Sequence, residues 1–271
     1  MEDIEYEVEA ILDKRYTIDG TEYLLKWKDS NVPTWQSKLN MGGCVELKQT
    51  YNKTKKVLVV VRDLQKQLPL PKFNPQPTDY YRKRKLYITN FGFYICNTQK
   101  MHSYVWNEYD GRKTADEIVS CMWKFAEEHI LLQNVDKWIA WGDNCVAQNT
   151  CWKILFYCSW IVETGVVPKC ILKALLVGHT FTMCDAFFGG IENGSYKKEC
   201  FKQQDWIDIM RNSSVDAKEV HQQSFLNWDW LDEWYRKPTK DVDGEEFHDI
   251  RGYYKYVFFR QDDKVCKLQL K

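Results

Sequence analysis

The run Val57-Leu58-Val59-Val60-Val61 constrains this chain more than any other feature. Its β-branched side chains lose χ1 freedom in a helix and favour extended backbone. With no polar face to offer water, such a run belongs in the centre of a sheet covered on both sides. It stops at Arg62-Asp63, so a buried strand delivers a charged pair at its end.

The elements around that run follow the order β-β-β-α-β-α-β, the pattern of a mixed α/β sheet covered by helices. A Pro-rich stretch at 68–77 keeps the chain extended and non-helical. Strands are predicted at 85–96 and 103–108, then a helix over 115–129 opened by Thr114 with Glu117 at capping-box spacing. A strand at 137–141 ends at Gly142-Asp143, a helix covers 150–163, and a strand covers 171–177. Beyond Cys200 come a segment at 205–211, a Trp-rich segment at 225–235 and a hairpin pairing 254–260 with 264–270. Residues 1–56 read differently. Near-alternation at 6–13, an Asp19-Gly20 turn, strands at 22–28 and 34–36, and an amphipathic helix at 44–51 make a small module with a thin core. A polar, basic linker at 52–56 separates the two blocks.

Composition narrows the classes. A hydrophobic fraction of 44% with 28% charged residues excludes a disordered or fibrous chain. The apolar run 154–167 is interrupted by Ser159, Glu163 and Thr164, so no membrane span is expected. Lys plus Arg balance Asp plus Glu at 38 each, so contact with a polyanion must come from local patches, of which 82–85 and Lys197-Lys198 are the candidates. Such runs more often only solvate a surface. The ten cysteines are scattered without a CxxC pair, and the N-terminus is acidic, so reduced cysteines and no secretory signal are expected. In the Trp-rich segment, interleaved Asp229, Asp232 and Glu233 oppose nucleic-acid stacking and favour a packing or protein-contact role.

Two constellations carry chemistry. Tyr6 and Trp27 sit where strand ends can bring their rings together; they are either core aromatics or two walls of a cavity for a quaternary ammonium. Asp63 and Asp143 both end strands. On adjacent strands their carboxylates can converge on divalent metals roughly 4 Å apart, and Mg²⁺ prefers such oxygens. A third acid, Asp185 or Glu192, lies seven residues apart from the other on one helical face, with Gly189-Gly190 between them. Acids at strand ends also serve as turn and cap residues.

The motifs Glu5-Tyr6-Glu7-Val8-Glu9-Ala10-Ile11-Leu12-Asp13, Glu22-Tyr23-Leu24-Leu25-Lys26-Trp27 and Thr34-Trp35, with the segment from Cys44 to Tyr51, resemble a chromodomain of the heterochromatin-protein and Polycomb type over 4–55. The resemblance implies a three-stranded sheet with a C-terminal helix, binding a methylated lysine of a histone tail that adds as a strand. Tyr6 and Trp27 match two of three cage aromatics, and the third position falls near Ser30 in a loop two residues shorter than the family's. Glu5 and Glu7 would favour the basic peptide.

Asp63-Leu64-Gln65, Asp143-Asn144-Cys145 with Gln148-Asn149, and Gly178-His179-Thr180 with Asp185 and Glu192 are similar to a transposase-derived family common in insect genomes. That resemblance implies an RNase H-like mixed α/β domain over 57–271 with a DDE/D triad: Asp63 and Asp143 as metal ligands for Mg²⁺ or Mn²⁺, Asp185 or Glu192 as the third acid, and His179 contacting phosphate or metal. Val146-Ala147 stand where the family commonly has Gly-Gly. Together the two resemblances imply a nuclear, chromatin-associated protein. The alternatives are a Mg²⁺-dependent DNA nuclease or strand-transferase, and a scaffold for self-association.

Overall fold

The computed structural model describes residues 8–17, 20–28, 30–37, 56–80, 82–133, 135–143, 151–175, 182–235, 250, 255–261 and 264–270. It divides into Met1–Lys56 and Val57–Lys271. The helix expected at 44–51 lies outside the described residues.

In the first unit β1 (Val8–Thr17), β2 (Gly20–Trp27) and β3 (Ser30–Ser37) form an antiparallel sheet in that order. The third strand is longer than the predicted 34–36. Trp27 pairs with Ser30, so the two-residue connection lets the ladder start at once. Pro33 interrupts the sequence signal, but β3 is an edge strand, where a missing N–H is tolerated. Ile11, Tyr23 and Leu25 are buried together, with Val8 and Trp27 packed against them.

The second unit is built on one large mixed sheet. Its strands are β4 (Val57–Leu64), β5 (Leu68–Leu70), β6 (Leu86–Ile95), β7 (Lys100–Asn107), β8 (Lys137–Gly142), β9 (Lys169–Ala174), β10 (Val215–Glu219), β11 (Lys255–Gln261) and β12 (Lys264–Leu270). They run in the order β10-β7-β6-β4-β8-β9-β11-β12, with β5 pairing β6. The Val-rich β4 is central as predicted, antiparallel to β6 and parallel to β8. Only alternate residues, Leu58, Val60 and Arg62, are fully buried, and the other face is partly covered. The short β5 lies in the Pro-rich stretch. The strand β10 is absent from the sequence expectation: five residues, Val-Asp-Ala-Lys-Glu, carry too little apolar pattern to be read without their parallel partner β7.

Helices cover both faces. On one, α1 (Ala115–Ala126) and α2 (Trp152–Glu163) pack with Val60, Phe93, Trp106 and Trp138. On the other, α3 (Met183–Gly194) and α4 (Gln203–Asn212) pack with Ile88, Met101 and Val105. The predicted cap is formed: the Glu117 carboxylate accepts the Thr114 and Arg112 N–H groups at 2.9 Å each. Burial works against its charge, but these hydrogen bonds outweigh it and hold its pKa below the usual range. The helix predicted to His129 stops at Ala126, where Glu127–Leu131 widen into a π-helical turn. The Trp-rich segment packs, through the short α5 (Trp230–Trp234), onto α1 and α2: Trp228 is 3% exposed and donates to Ser120 Oγ at 2.9 Å. No cysteine among the described side chains is paired in a disulfide, and no helix among the described residues is long and apolar enough to cross a membrane.

Candidate functional site

The parallel register of β4 and β8 pairs Val57 with Lys137 and Val61 with Trp141. Continued by two residues, it sets Asp63 level with Asp143. Adjacent strands lie about 4.8 Å apart, and residues level in a parallel ladder share a face. The two strand-end acids that the sequence placed 80 positions apart are therefore neighbours at one end of the sheet.

Close approach of α3 brings the third acid. Asp63 pairs with Gly92 of β6, where a Cβ would collide with the Met101 side chain of β7 and lie 3.1 Å from the Phe188 ring of α3. Glycine there leaves room for Met101 and, with it, for the Phe188 ring. The Gln65 amide donates to Phe188 O at 3.3 Å and accepts from Asn90 Nδ2 at 2.9 Å, fixing the same contact from below. At the N-terminus of α3, Cys184 Sγ donates to Val61 O at 3.4 Å. Asp185, one residue on, caps the helix: its Oδ2 accepts the Thr182 N–H at 2.6 Å and the Thr182 hydroxyl at 3.0 Å.

The electrostatics register this convergence. Burial, then the negative charge of Asp143 and, more weakly, that of Asp185, push the Asp63 pKa up to about 6. The Leu64 N–H, donating to Asp63 Oδ1 at 2.8 Å, and nearby Arg62 oppose that shift. Burial and the Asp63 charge likewise push the Cys184 thiol up to about 12, so it is inert. Glu192 is different. The Gly189-Gly190 pair does not break α3, yet Glu192 is exposed two turns along, and the charges that chiefly raise Asp63 are those of Asp143 and Asp185.

Asp63 and Asp143 are hard oxygen donors of the number Mg²⁺ usually takes from a protein, which supplies one or two carboxylates and leaves the rest to water and substrate phosphates. Among the described residues no group of three or more His, Cys, Asp or Glu side chains is arranged to hold a metal ion; Asp185 is engaged in capping. His179, Val146 and Ala147 lie outside the described residues. Two features beside the acids escaped the sequence reading. Lys173 of β9 pairs with Trp141 of β8, and its Nζ sits 4.2 Å from the indole centroid, a cation two residues before Asp143 on the same ladder. No motif marks them; only the strand register does.

In the first unit, Trp27 is half-buried at the end of β2, and its Nε1 donates to Thr34 Oγ1 at 2.9 Å. The indole is thus held at a fixed angle by its own sheet. Tyr6, Glu5 and Glu7 lie outside the described residues, as does the side chain of Ser30.

Comparison with known proteins gives two family matches. Residues 6–54 match the chromo (chromatin organisation modifier) domain, and residues 83–267 match a domain of unknown function, DUF7869. No curated protein and no solved structure matches the chain. The second match spans more than half of the sequence, so the chain belongs to the DUF7869 family and carries a chromo domain ahead of it.

Proposed function

We propose that this is a nuclear, chromatin-associated protein whose chromo domain binds a methylated lysine of a histone tail, with Tyr6 and Trp27 as cage walls and Glu5 and Glu7 favouring the basic peptide. The observation that carries this reading is the chromo match over 6–54. The geometry of Trp27 supports it: an indole held by Thr34, with part of its surface open, suits cation–π contact because little side-chain freedom is lost on binding. Titration with trimethylated and unmodified histone peptides tests the reading, using Trp27→Ala and the better-packed Trp27→Phe. Preference for the methylated peptide, lost in Trp27→Ala and reduced in Trp27→Phe, supports it. Equal affinity for both peptides overturns it.

A second reading, of phosphodiester chemistry in an RNase H-like domain of transposase descent, is favoured by one observation: three antiparallel strands followed by two parallel ones, β7-β6-β4-β8-β9, with Asp63 and Asp143 at neighbouring ends. Asp63 and Asp143 would hold a divalent cation. When bound, the cation would offset negative charge on a phosphodiester during its cleavage. Asp185 would add negative potential beside them, and Lys173 would orient a phosphate. Mg²⁺- or Mn²⁺-dependent cleavage of labelled DNA, abolished in Asp143→Asn, supports this reading; equal cleavage by the variant overturns it.

A further inference from the structure

The two basic stretches, 82–85 and Lys197-Lys198, are far apart in sequence, but the fold brings them to one surface. A backbone bridge joins Lys72 to Cys200, with hydrogen bonds of 2.7 and 2.9 Å in the two directions. The Lys72 ammonium donates to the carbonyls of Ser195 and Lys198, tying down the turn that presents Lys197 and Lys198. Next to the bridge, the Phe73 ring lies 5.0 Å from Tyr80 and 5.5 Å from Phe201. Tyr80 O accepts the Lys83 N–H at 3.2 Å, and Lys85 Nζ is 5.7 Å from the Tyr80 ring. An aromatic bridge therefore runs from one basic run to the other.

Two rings of this surface face solvent. Tyr196 is 73% exposed and Phe201 is 54% exposed. Lys197 Nζ sits 5.5 Å from the Tyr196 ring, so this surface presents a cation and an open aromatic face together. Against the six cations of the two runs stand four nearby acids, Asp79, Glu108, Glu199 and Asp205. Glu108 pairs with Arg84 at 3.1 Å, Asp205 accepts the Phe201 and Lys202 N–H groups, and Glu199 accepts from Asn74. In a chain of zero net charge this local excess of positive charge has no general field behind it, so it marks a place.

We propose that this surface binds single-stranded DNA, with the two basic runs on phosphates and Tyr196 and Phe201 stacked on bases. Cations alone would suit any polyanion; the open rings select a strand whose base faces are free, which a duplex hides. The choice of DNA rests on the chromatin-bound reading above. The surface adjoins the C-terminal end of α3, whose first turn carries Asp185, and a 12-residue helix spans about 18 Å.

The test is fluorescence anisotropy of the full chain with labelled oligothymidylate of roughly 16 nucleotides, a duplex and an oligouridylate of the same length. The variants are Lys197→Glu with Lys198→Glu, Arg82→Glu with Lys83→Glu, Tyr196→Ala and Phe201→Ala, all at exposed positions, each checked by thermal melting. Each charge-reversal pair is expected to weaken oligothymidylate binding more than tenfold and to flatten its salt dependence. Each aromatic truncation should weaken it at least fivefold. Unchanged affinity in the variants, duplex binding as tight as single-strand binding, or tighter binding of oligouridylate would each overturn the proposal. Histone-peptide titration of the same preparations reads the chromo reading separately, so the two fail independently.

Discussion

Replacing Asp63 by Asn should stabilise the protein. Burial, then the charge of Asp143 and more weakly that of Asp185, raises the Asp63 pKa from an ordinary 3.8 to about 6. The unfolded chain loses this proton near 3.8 and the folded chain near 6, so the folded state holds the extra proton between them. Stability attributable to this group therefore falls as pH climbs from about 4 to about 6, and the full penalty persists above that. At about 1.36 kcal/mol per pKa unit the ceiling is about 3 kcal/mol. Because the carboxylate is partly open to solvent, screening lowers that to about 1–2 kcal/mol. Asn keeps an oxygen for the Leu64 N–H, now received at 2.8 Å, so packing and hydrogen bonding survive. At roughly 2–4 °C per kcal/mol for a domain of this size, Asp63→Asn should melt about 2–8 °C higher at pH 7.5 and no higher at pH 4. Differential scanning calorimetry across that pH range is the assay. Mg²⁺ should raise the melting temperature of the wild type and leave that of the variant unmoved, because the cation offsets the same repulsion. A variant that melts lower at pH 7.5, or by the same margin at both pH values, would refute the claim that burial and the neighbouring acids penalise the Asp63 charge.

Two further outcomes follow from buried polar groups. Ser120 is 1% exposed, and its Oγ accepts the Trp228 indole N–H at 2.9 Å and the Leu226 N–H at 3.0 Å. Ser120→Ala leaves both donors without that acceptor and should cost about 1–3 kcal/mol in urea unfolding with an unchanged m-value; a cost below about 0.5 kcal/mol would mean the Trp-rich segment is not anchored there. The His129 ring packs at a tilt against Phe125 and His102 of β7, feels the charges of Asp216 and Lys218 of β10, and neighbours Glu128 on its own turn. Burial, then the His102 charge, depress its pKa to about 4. The unfolded state gains the proton first as pH falls, so stability is lost between about 6.5 and 4. His129→Phe, which keeps the ring packing, should flatten the melting temperature over that window, and an unaltered pH profile would contradict it.

Much of this was legible from residues alone, for stated reasons. Val57–Val61 announced a central strand because its branched apolar side chains suit no other setting, and Thr114 with Glu117 announced a cap because the hydrogen bonds are local. Asp63 and Asp143 could be named as strand ends, but their adjacency depends on a β4–β8 register that no local pattern encodes. For the third acid, sequence offered Asp185 and Glu192 on equal terms. Asp185 is among the charges acting on Asp63 whereas Glu192 is exposed two turns along, a difference set by how α3 docks on the sheet and not by any local pattern. Val215–Glu219 was silent because a short polar edge strand takes its identity from its neighbour. The joining of 82–85 to Lys197-Lys198 depends on one bridge at Lys72 and Cys200, equally invisible beforehand.

The most direct trial of the chromo reading compares two peptides that differ only in charge, one carrying trimethyllysine and the other its neutral tert-butyl isostere. Both would fill a cage equally, but on the proposed reading only the cation is attracted by the aromatic faces of its walls. With desolvated cation–π attraction of about 2 kcal/mol, calorimetry should show the cationic peptide binding about 30-fold tighter, a margin that shrinks in Trp27→Phe. Equal affinities for the two peptides would contradict the account.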